Sequence, residues 1–265
     1  KSLIIIDLFQ TLTAQEFGTV FLPAISAFEK DGTFMNSERR IQRVRACVSP
    51  RGNARPDLWI LTELAKRLGH SKGFAEIGNN PDQVWDEVRS LWPAVAGISY
   101  ARIEKHGIQW PCPDENHPGT RFLHRDSFPI GDKAAFKPLQ FYPSQEIEST
   151  EFPLLLNTGR TLAHFNAATM SGASRNHEIV ADDFVEVHPS VADRASIGHL
   201  ARVRITTRHG SFIGTAHVTD RVNPGELFAV FHRPDAYINH ATGTGRDHYC
   251  DTPEYKVTAA KIERI

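Results

Sequence analysis

The hydrophobic pattern of this chain changes near residue 98 and again near residue 152, which divides the sequence into three stretches. In the first stretch, apolar runs at 3–8 and 19–22 are joined by a segment, 11–17, that suits a helical turn or loop. Short continuous apolar runs are typical of fully buried strands, and a helical connection between two of them favours a parallel α/β layer. We therefore expect a buried parallel strand pair at the start of the chain.

Two amphipathic helices are predicted farther along the first stretch. The first spans 56–68 and is capped by Gly69, and the second begins after the Asn80 cap and ends before Pro93. The face expected to be buried in the first helix consists of Leu58, Leu61, Ala65 and Leu68. The face expected to be buried in the second consists of Val84, Val88 and Leu91.

The second stretch, 98–149, is broken repeatedly by proline and glycine. Such punctuation prevents long regular elements and indicates an irregular segment that wraps the surface and links two domains.

The third stretch is rich in short strands. Alternating residues at 203–207 and 212–218 flank His209-Gly210, which predicts a hairpin in which Gly210 supplies a positive φ. Further strands are predicted at 152–157, at 183–188, and at 227–231 after the turn Pro224-Gly225. This pattern favours a closed β-barrel or a β-sandwich of about 110 residues.

Composition excludes several classes of function. The net charge of the 265 residues is −1, so no global attraction to nucleic acid or an acidic membrane is expected. No apolar run approaches the ~20 residues of a membrane helix and no secretory signal is found, so we expect a cytoplasmic protein and leave a periplasmic one open. Because Lys1 is followed almost at once by an apolar strand, we expect a piece of a longer polypeptide.

The residues that usually mark catalysis or metal binding do not occur in recognisable spacing. The three cysteines, Cys47, Cys112 and Cys250, are far apart, so free thiols are expected rather than an iron–sulfur site or a disulfide framework. Of thirteen histidines, only His164 and His232 stand out, and only for their neighbours. No catalytic residue and no metal ligand is therefore predicted.

Two runs could bind an anion. In 29–40, Gly32 permits a tight turn, Thr33 and Asn36 offer polar groups, and the arginines that follow concentrate positive charge. The alternative is a polar loop that leads into a solvated basic strand. In the second run, Thr158-Gly159-Arg160 at a strand end can present N–H groups, a hydroxyl and a guanidinium to a phosphate or heterocycle, although strand-end turns with glycine are common.

A series of runs in the same order along nearly the whole chain resembles the molybdopterin oxidoreductase family, and within it the formate dehydrogenase alpha (catalytic) subunits. The runs are T-V-F-L-P-A at 19–24, E-K-D-G-T-F-M-N-S-E-R-R-I-Q-R-V-R at 29–45, A-R-P-D-L-W-I-L-T-E-L-A-K-R-L-G at 54–69, G-I-Q-W-P-C-P at 107–113, P-G-T at 118–120, L-N-T-G-R at 156–160, H-x-x-x-x-T-M-S at 164–171, V-T-D-R-V-N-P-G at 218–225 and P-E-Y-K-V-T-A at 253–259.

The resemblance implies a fold in three parts. Residues 1–100 would form an α/β segment, the closing part of an incomplete Rossmann-like layer. Residues 101–151 would be an irregular linker, and 152–265 a double-psi β-barrel that binds the molybdopterin dinucleotide. The family's cofactor is a bis-molybdopterin guanine dinucleotide with molybdenum or tungsten.

Matched position by position, the resemblance implies cofactor-binding roles for fifteen residues: Gly32, Thr33, Asn36, Glu38, Arg39, Thr158, Gly159, Arg160, His164, Thr169, Met170, Ser171, Asn239, Tyr255 and Lys256. Two departures from the family are visible. After Met170 the chain has 171–174 and a single arginine, Arg175, where many relatives have paired arginines. The usual acidic stretch is replaced by 233–236.

The family's metal ligand, substrate-binding arginine and iron–sulfur cysteines belong to N-terminal regions, and their motifs do not occur here. The resemblance thus implies the C-terminal cofactor-binding portion of a formate dehydrogenase, which oxidises formate to carbon dioxide with an N-terminal catalytic region or subunit. Any iron–sulfur cluster would lie in that region or in a partner, and electrons would pass to subunits with iron–sulfur or flavin groups. The alternatives are an assimilatory nitrate reductase fragment and a non-catalytic module that binds cofactor or a partner.

Overall fold

The computed structural model describes residues 1–77, 79–128, 131–180, 183–232, 236 and 238–265. The chain divides into two compact units, Lys1–Lys137 and Pro138–Ile265. The division falls within the segment that the sequence predicts to be irregular.

The first unit begins with a parallel strand pair joined by a helix, as predicted. Strand β1 (Ile4–Asp7) pairs with β2 (Val20–Pro23), and helix α1 (Leu12–Phe17) lies between them in the chain. The expected burial of the pair is wrong for this chain, since Ile4 is 52% and Val20 44% exposed. Two strands and one six-residue helix provide too little apolar surface to cover both faces of the sheet.

In the described residues, the rest of the first unit forms a small antiparallel sheet and three α-helices. The sheet consists of β3 (Gly32–Met35), β4 (Arg40–Val44) and β5 (Ile108–Gln109) in that order. The helices are α2 (Asp57–Arg67), α3 (Phe74–Ile77) and α4 (Pro81–Leu91).

Helix α2 forms where predicted but buries a different face. Ile60 and Thr62 are buried, whereas Leu61 and Leu68 are 52% and 75% exposed. Apolar residues occupy several sides of this helix, so packing rather than periodicity selects the buried side. The predicted cap is confirmed, because Gly69 has a φ of +86°.

Helix α4 also buries a residue that periodicity did not select. The Asn80 cap is confirmed, but Val88 and Leu91 are exposed and Trp85 is buried. The Trp85 indole donates a hydrogen bond to the Ile98 carbonyl at 2.6 Å, which fixes the side of α4 that faces the core. The buried cluster around it consists of Ile41, Trp85, Val95, Ile98, Ile103 and Cys112.

The start of the irregular segment is part of this core and does not wrap the surface there. Ile98, Ile103 and Cys112 are at most 1% exposed. The Gly97 N–H donates to the Cys112 carbonyl at 2.8 Å. The Arg102 guanidinium donates to the carbonyls of Gly97, Asp114 and His117, so these backbone groups are paired although the chain there has no regular structure.

The second unit is a six-stranded closed barrel, which decides between the predicted barrel and sandwich. Its strands are β6 (Leu154–Gly159), β7 (Phe184–Val187), β8 (Arg202–Thr207), β9 (Ser211–Val218), β10 (Glu226–Val230) and β11 (Thr258–Arg264), and a short helix, α5 (Pro189–Arg194), follows β7. Around the barrel the order is β10-β6-β11-β8-β9-β7. The β6/β10 and β7/β9 pairs are parallel and the other four are antiparallel.

The predicted hairpin between β8 and β9 is confirmed, but the role of its glycine differs. Gly225 has the positive φ expected of its turn, +94°, whereas Gly210 is not among the residues with positive φ. A Cβ atom at Gly210 would lie 2.6 Å from the His240 carbonyl oxygen. Glycine is thus required by close approach of two backbones.

Candidate functional site

One end of the barrel gathers the residues predicted from the second half of the chain. The strand register places the C-terminal ends of β6, β8 and β10 beside the N-terminal ends of β7, β9 and β11. The connections that leave this end are 160–183, 208–210 and 231–257. All ten predicted residues of this unit lie at that end or in those connections.

Thr158, Tyr255 and Lys256 are in direct contact there. The Thr158 hydroxyl donates to the Tyr255 carbonyl at 3.0 Å, and the Lys256 ammonium donates to the Thr158 carbonyl at 3.0 Å. Thr158 is only 1% exposed, so its side chain positions the segment before β11. Tyr255 and Lys256 themselves are exposed.

Gly159 and Arg160 continue β6 outward from the barrel. Gly159 is buried, and a Cβ atom on it would lie 2.5 Å from the Phe228 ring, so its role in the structure is close packing. The exposed Arg160 guanidinium donates to the Asn166 side-chain oxygen at 2.6 Å. Asn166 has a φ of +48°, in the left-handed region that asparagine tolerates better than most residues.

His164 and Ser171 are also brought together. His164 Nε2 lies 2.9 Å from the Val180 carbonyl, which can only accept, so Nε2 carries the proton. His164 Nδ1 then accepts from the Ser171 hydroxyl at 3.1 Å, and that hydroxyl accepts from the Phe165 N–H at 3.0 Å. These bonds tie the two ends of the 164–171 loop to each other.

His232 stood out in the sequence for its neighbours but is not among the fifteen residues predicted to bind the cofactor. It is 4% exposed, and its ring lies 4.9 Å from that of His164. Its Nε2 accepts from the Thr161 N–H at 2.8 Å, and its Nδ1 donates to the Asn166 carbonyl at 3.0 Å. The sequence offered only its position just after β10 as a signal.

Burial lowers the pKa of His232 below its ordinary value of 6.5, and the charges of His164 and Arg160 act in the same direction while the Asn166 carbonyl opposes them. Because the unfolded chain then binds more protons than the folded one, the stability of the barrel should fall as pH drops below about 6.5. Thermal unfolding at pH 7.5 and pH 5.5 measures this. The pH-dependent difference should shrink in His232→Asn, and an unchanged difference would contradict the assignment.

The remaining predicted residues of this unit are less constrained. Thr169 and Met170 are exposed. Asn239 lies in a 3-10 turn, Ile238–His240. The Thr207 hydroxyl, at the end of β8, donates to the carbonyl of Ala241, just after this turn, at 2.7 Å. Arg175 is paired with Glu178 at 2.9 Å. Of 233–236, where the acidic stretch is replaced, 233–235 lie outside the described residues.

The five predicted residues of the first unit lie in the hairpin of β3 and β4, but their polar groups are used internally. The Arg39 guanidinium donates to the carbonyls of Trp110, Thr120 and Arg121. Arg40 and then Asn36 lower the pKa of Glu38 to about 2. Gly32 and Thr33 lie in β3, which pairs with β4.

A cleft of about 610 Å³ adjoins the β3–β4 hairpin. It is lined by Glu38, Arg39, Arg40, Gly107, Ile108, Gln109, Pro118, Gly119, Arg121 and Phe122. The lining combines one carboxylate, three arginines and an aromatic ring, which is compatible with a polar ligand and does not define one.

The barrel end fits an anionic, hydrogen-bonding group. Its exposed polar side chains include the cations Arg160 and Lys256 and the amide of Asn239. Guanidinium and ammonium groups bind phosphate, and an amide can pair with a heterocycle edge. Among the described residues, no group of three or more histidine, cysteine, aspartate or glutamate side chains could hold a metal ion. The helices in the described ranges are also too short or too polar to span a membrane.

Comparison with known proteins finds a family match for each part of the chain. Residues 1–67 match the family described as Molybdopterin oxidoreductase, and 154–259 match the Molydopterin dinucleotide binding domain. The F420-dependent formate dehydrogenase subunit alpha of Methanocaldococcus jannaschii is 38% identical over 99% of this chain, and the chain spans 39% of that relative. A nitrate reductase of Symbiobacterium thermophilum is 33% identical over 99% of this chain, which spans 38% of it.

A solved structure supports the fold. Acetylene hydratase from Pelobacter acetylenicus superposes with a TM-score of 0.68 and 16% identity, covering 100% of this chain and 40% of the hydratase. At that identity the likeness shows the fold alone. With both family matches and 38% identity along the whole chain, this chain belongs to the molybdopterin oxidoreductase family.

Proposed function

We propose that this chain is the C-terminal, cofactor-binding portion of a molybdenum or tungsten formate dehydrogenase. The observation that carries the proposal is the gathering of Arg160, Asn239 and Lys256 at one end of the barrel, together with the buried contacts that hold their loops. In this proposal the barrel, 152–265, has the double-psi form, and 1–100 close a Rossmann-like layer. Residues 101–151 connect the two.

The proposed ligand is a bis-molybdopterin guanine dinucleotide, whose bound metal would supply the two-electron chemistry of formate oxidation. Arg160 and Lys256 would bind phosphate oxygens, and Asn239, Tyr255 and the loop 164–171 would contact the heterocyclic parts. Thr158, Gly159 and Ser171 would act by holding these groups in place. The hairpin residues Gly32, Thr33, Asn36, Glu38 and Arg39 would shape the cofactor side of the first unit.

The catalytic region that holds the metal would be supplied by an N-terminal region or partner subunit, and electrons would leave through iron–sulfur or flavin subunits. A cytoplasmic location is part of the same proposal. The nitrate reductase relative supports a second candidate, in which the same cofactor site serves nitrate reduction. Assays of the complete enzyme with formate and with nitrate distinguish the two.

The test of the cofactor site is the guanine nucleotide that the complete protein releases on acid hydrolysis. Arg160→Gln should lower retained nucleotide roughly tenfold, because a charge-assisted bond to phosphate is lost. Arg175→Gln is the matched control, since Arg175 is exposed in the same loop but paired with Glu178, and it should retain nucleotide normally. Equal retention in both variants would contradict the assignment of Arg160.

Protein without guanine nucleotide or metal, with or without the N-terminal region, would favour the non-catalytic module.

A further inference from the structure

We propose that His232 is a positioning residue that sets the direction of the Arg160 guanidinium. The inference rests on the proposed function, in which that guanidinium meets a phosphate of the dinucleotide. It adds a residue that neither the motifs nor the resemblance selected.

His232 forms hydrogen bonds with two residues that lie beside Arg160, namely Thr161 and Asn166. Its Nε2 accepts from the N–H of Thr161, the residue next to Arg160, at 2.8 Å. Its Nδ1 donates at 3.0 Å to the carbonyl of Asn166, whose side-chain oxygen accepts from Arg160 at 2.6 Å. One imidazole therefore fixes both the base of the arginine and the residue that orients its tip.

The two bonds leave a single tautomer. A backbone N–H can only donate and a backbone carbonyl can only accept, so Nδ1 must carry the proton and Nε2 must be free of one. The Thr161 hydroxyl, 3.2 Å from Nε2, can add a second donor to the same nitrogen. A neutral imidazole is the form in which both contacts can exist.

Burial makes the arrangement rigid, whereas the arginine alone would be mobile. His232 is 4% exposed and lies two residues after β10, which is hydrogen-bonded within the closed barrel. Arg160 is exposed, and a long exposed side chain must lose its rotamer freedom when it binds a ligand. A side chain already held by Asn166 loses less, which strengthens binding without an additional ligand contact.

Two conservative variants separate the two bonds. His232→Gln places an amide oxygen near the position of Nε2 and can keep the Thr161 bond, whereas His232→Asn places an amide nitrogen near Nδ1 and can keep the Asn166 bond. His232→Leu removes both. His199→Gln is the matched control, because the His199 Nδ1 also accepts a backbone N–H, that of Val218 at 3.2 Å.

The measurement is the rate at which the complete protein loses guanine nucleotide, with thermal unfolding alongside. With Arg160 present, His232→Leu should speed loss about tenfold and the Gln and Asn variants about threefold each. In an Arg160→Gln background the same changes at 232 should alter the rate less than about twofold, because they act through the arginine. His199→Gln should leave the rate unchanged in both backgrounds.

Two other outcomes would contradict the role of His232 or the role of Arg160. Equal effects of the His232 variants in both backgrounds would mean that His232 only stabilises the barrel, and this inference fails while the proposed function stands. An Arg160→Gln variant that retains nucleotide as well as the unaltered protein would remove the proposed role of Arg160 and this inference with it. If His232→Leu does not fold, the Gln and Asn variants decide the question.

Discussion

Replacing Gly97 with alanine should destabilise the first unit by about 3 kcal/mol, at the upper end of what overpacking usually costs. The added Cβ would lie 2.0 Å from the carbonyl oxygen of Asp114 and 2.3 Å from its carbonyl carbon. These are backbone atoms, so no side-chain rotation relieves the contact. The surrounding chain is also fixed, because Arg102 donates to the carbonyls of both Gly97 and Asp114.

Tryptophan fluorescence during urea unfolding measures this effect in the first unit alone. All four tryptophans of the sequence, residues 59, 85, 92 and 110, precede residue 138. Gly32→Ala is the control, because a Cβ atom there would meet nothing within 4 Å. If Gly97→Ala shifts the urea midpoint of unfolding no more than Gly32→Ala does, the backbones of residues 97 and 114 do not approach each other as closely as the structure indicates.

The second large effect is expected at Glu146, which ties the start of the second unit to the barrel. Its carboxylate accepts from His209 at 2.6 Å, from Arg208 at 3.2 Å and from the Ala259 N–H at 3.1 Å. The side chain is 9% exposed, so Glu146→Gln should cost about 2 kcal/mol through loss of charge-assisted bonds. Arg208 and His209 are partly exposed, which keeps the cost below that of breaking a fully buried pair.

The same contacts give the effect a pH dependence. Burial opposes ionisation of Glu146, but His209, the Ala259 N–H and Arg208 outweigh it and hold the pKa below 4.5. The stabilisation is therefore complete above about pH 4.5 and is lost as pH falls through the lowered pKa.

Hydrogen exchange of the peptide that contains β11 reports directly on the contacts of Glu146. Exchange should accelerate in Glu146→Gln and stay unchanged in Glu148→Gln, an exposed carboxylate two residues on. Equal protection in the two variants would show that the Glu146 contacts do not stabilise the barrel.

The elements of this fold follow from local pattern, whereas the buried faces of its helices do not. The strand pair at the start, both long helices and the β8–β9 hairpin were predictable from apolar spacing and caps. The buried side of α4 was not, because Trp85 reaches a carbonyl thirteen residues away and that contact exists only in the folded chain. The reason for glycine at position 210 could not be predicted either, because the backbone that approaches it, at the His240 carbonyl, lies thirty residues farther along the chain.

Some residues of the candidate site could be predicted from the sequence, and the role of another could not. The run Thr158-Gly159-Arg160 and the Tyr255-Lys256 pair could be selected from the sequence by resemblance, and the structure brings Thr158 and that pair into contact. Their proposed roles toward a cofactor stay predictions. His232 stood out in the sequence for its neighbours, but its role could not be predicted, because that role depends on two backbone groups that only the folded loop presents to it.

The order of strands around the barrel also sets when the barrel can form. Strand β11, the last to be synthesised, lies between β6 and β8, so both keep an open edge until residues 258–264 have left the ribosome. Open strand edges are the sites at which nascent chains pair wrongly. A chaperone that shields β6 and β8 during translation would therefore have to remain until β11 arrives. Under the proposed function, the cofactor would bind at the barrel end that carries Arg160 and Lys256 only after that.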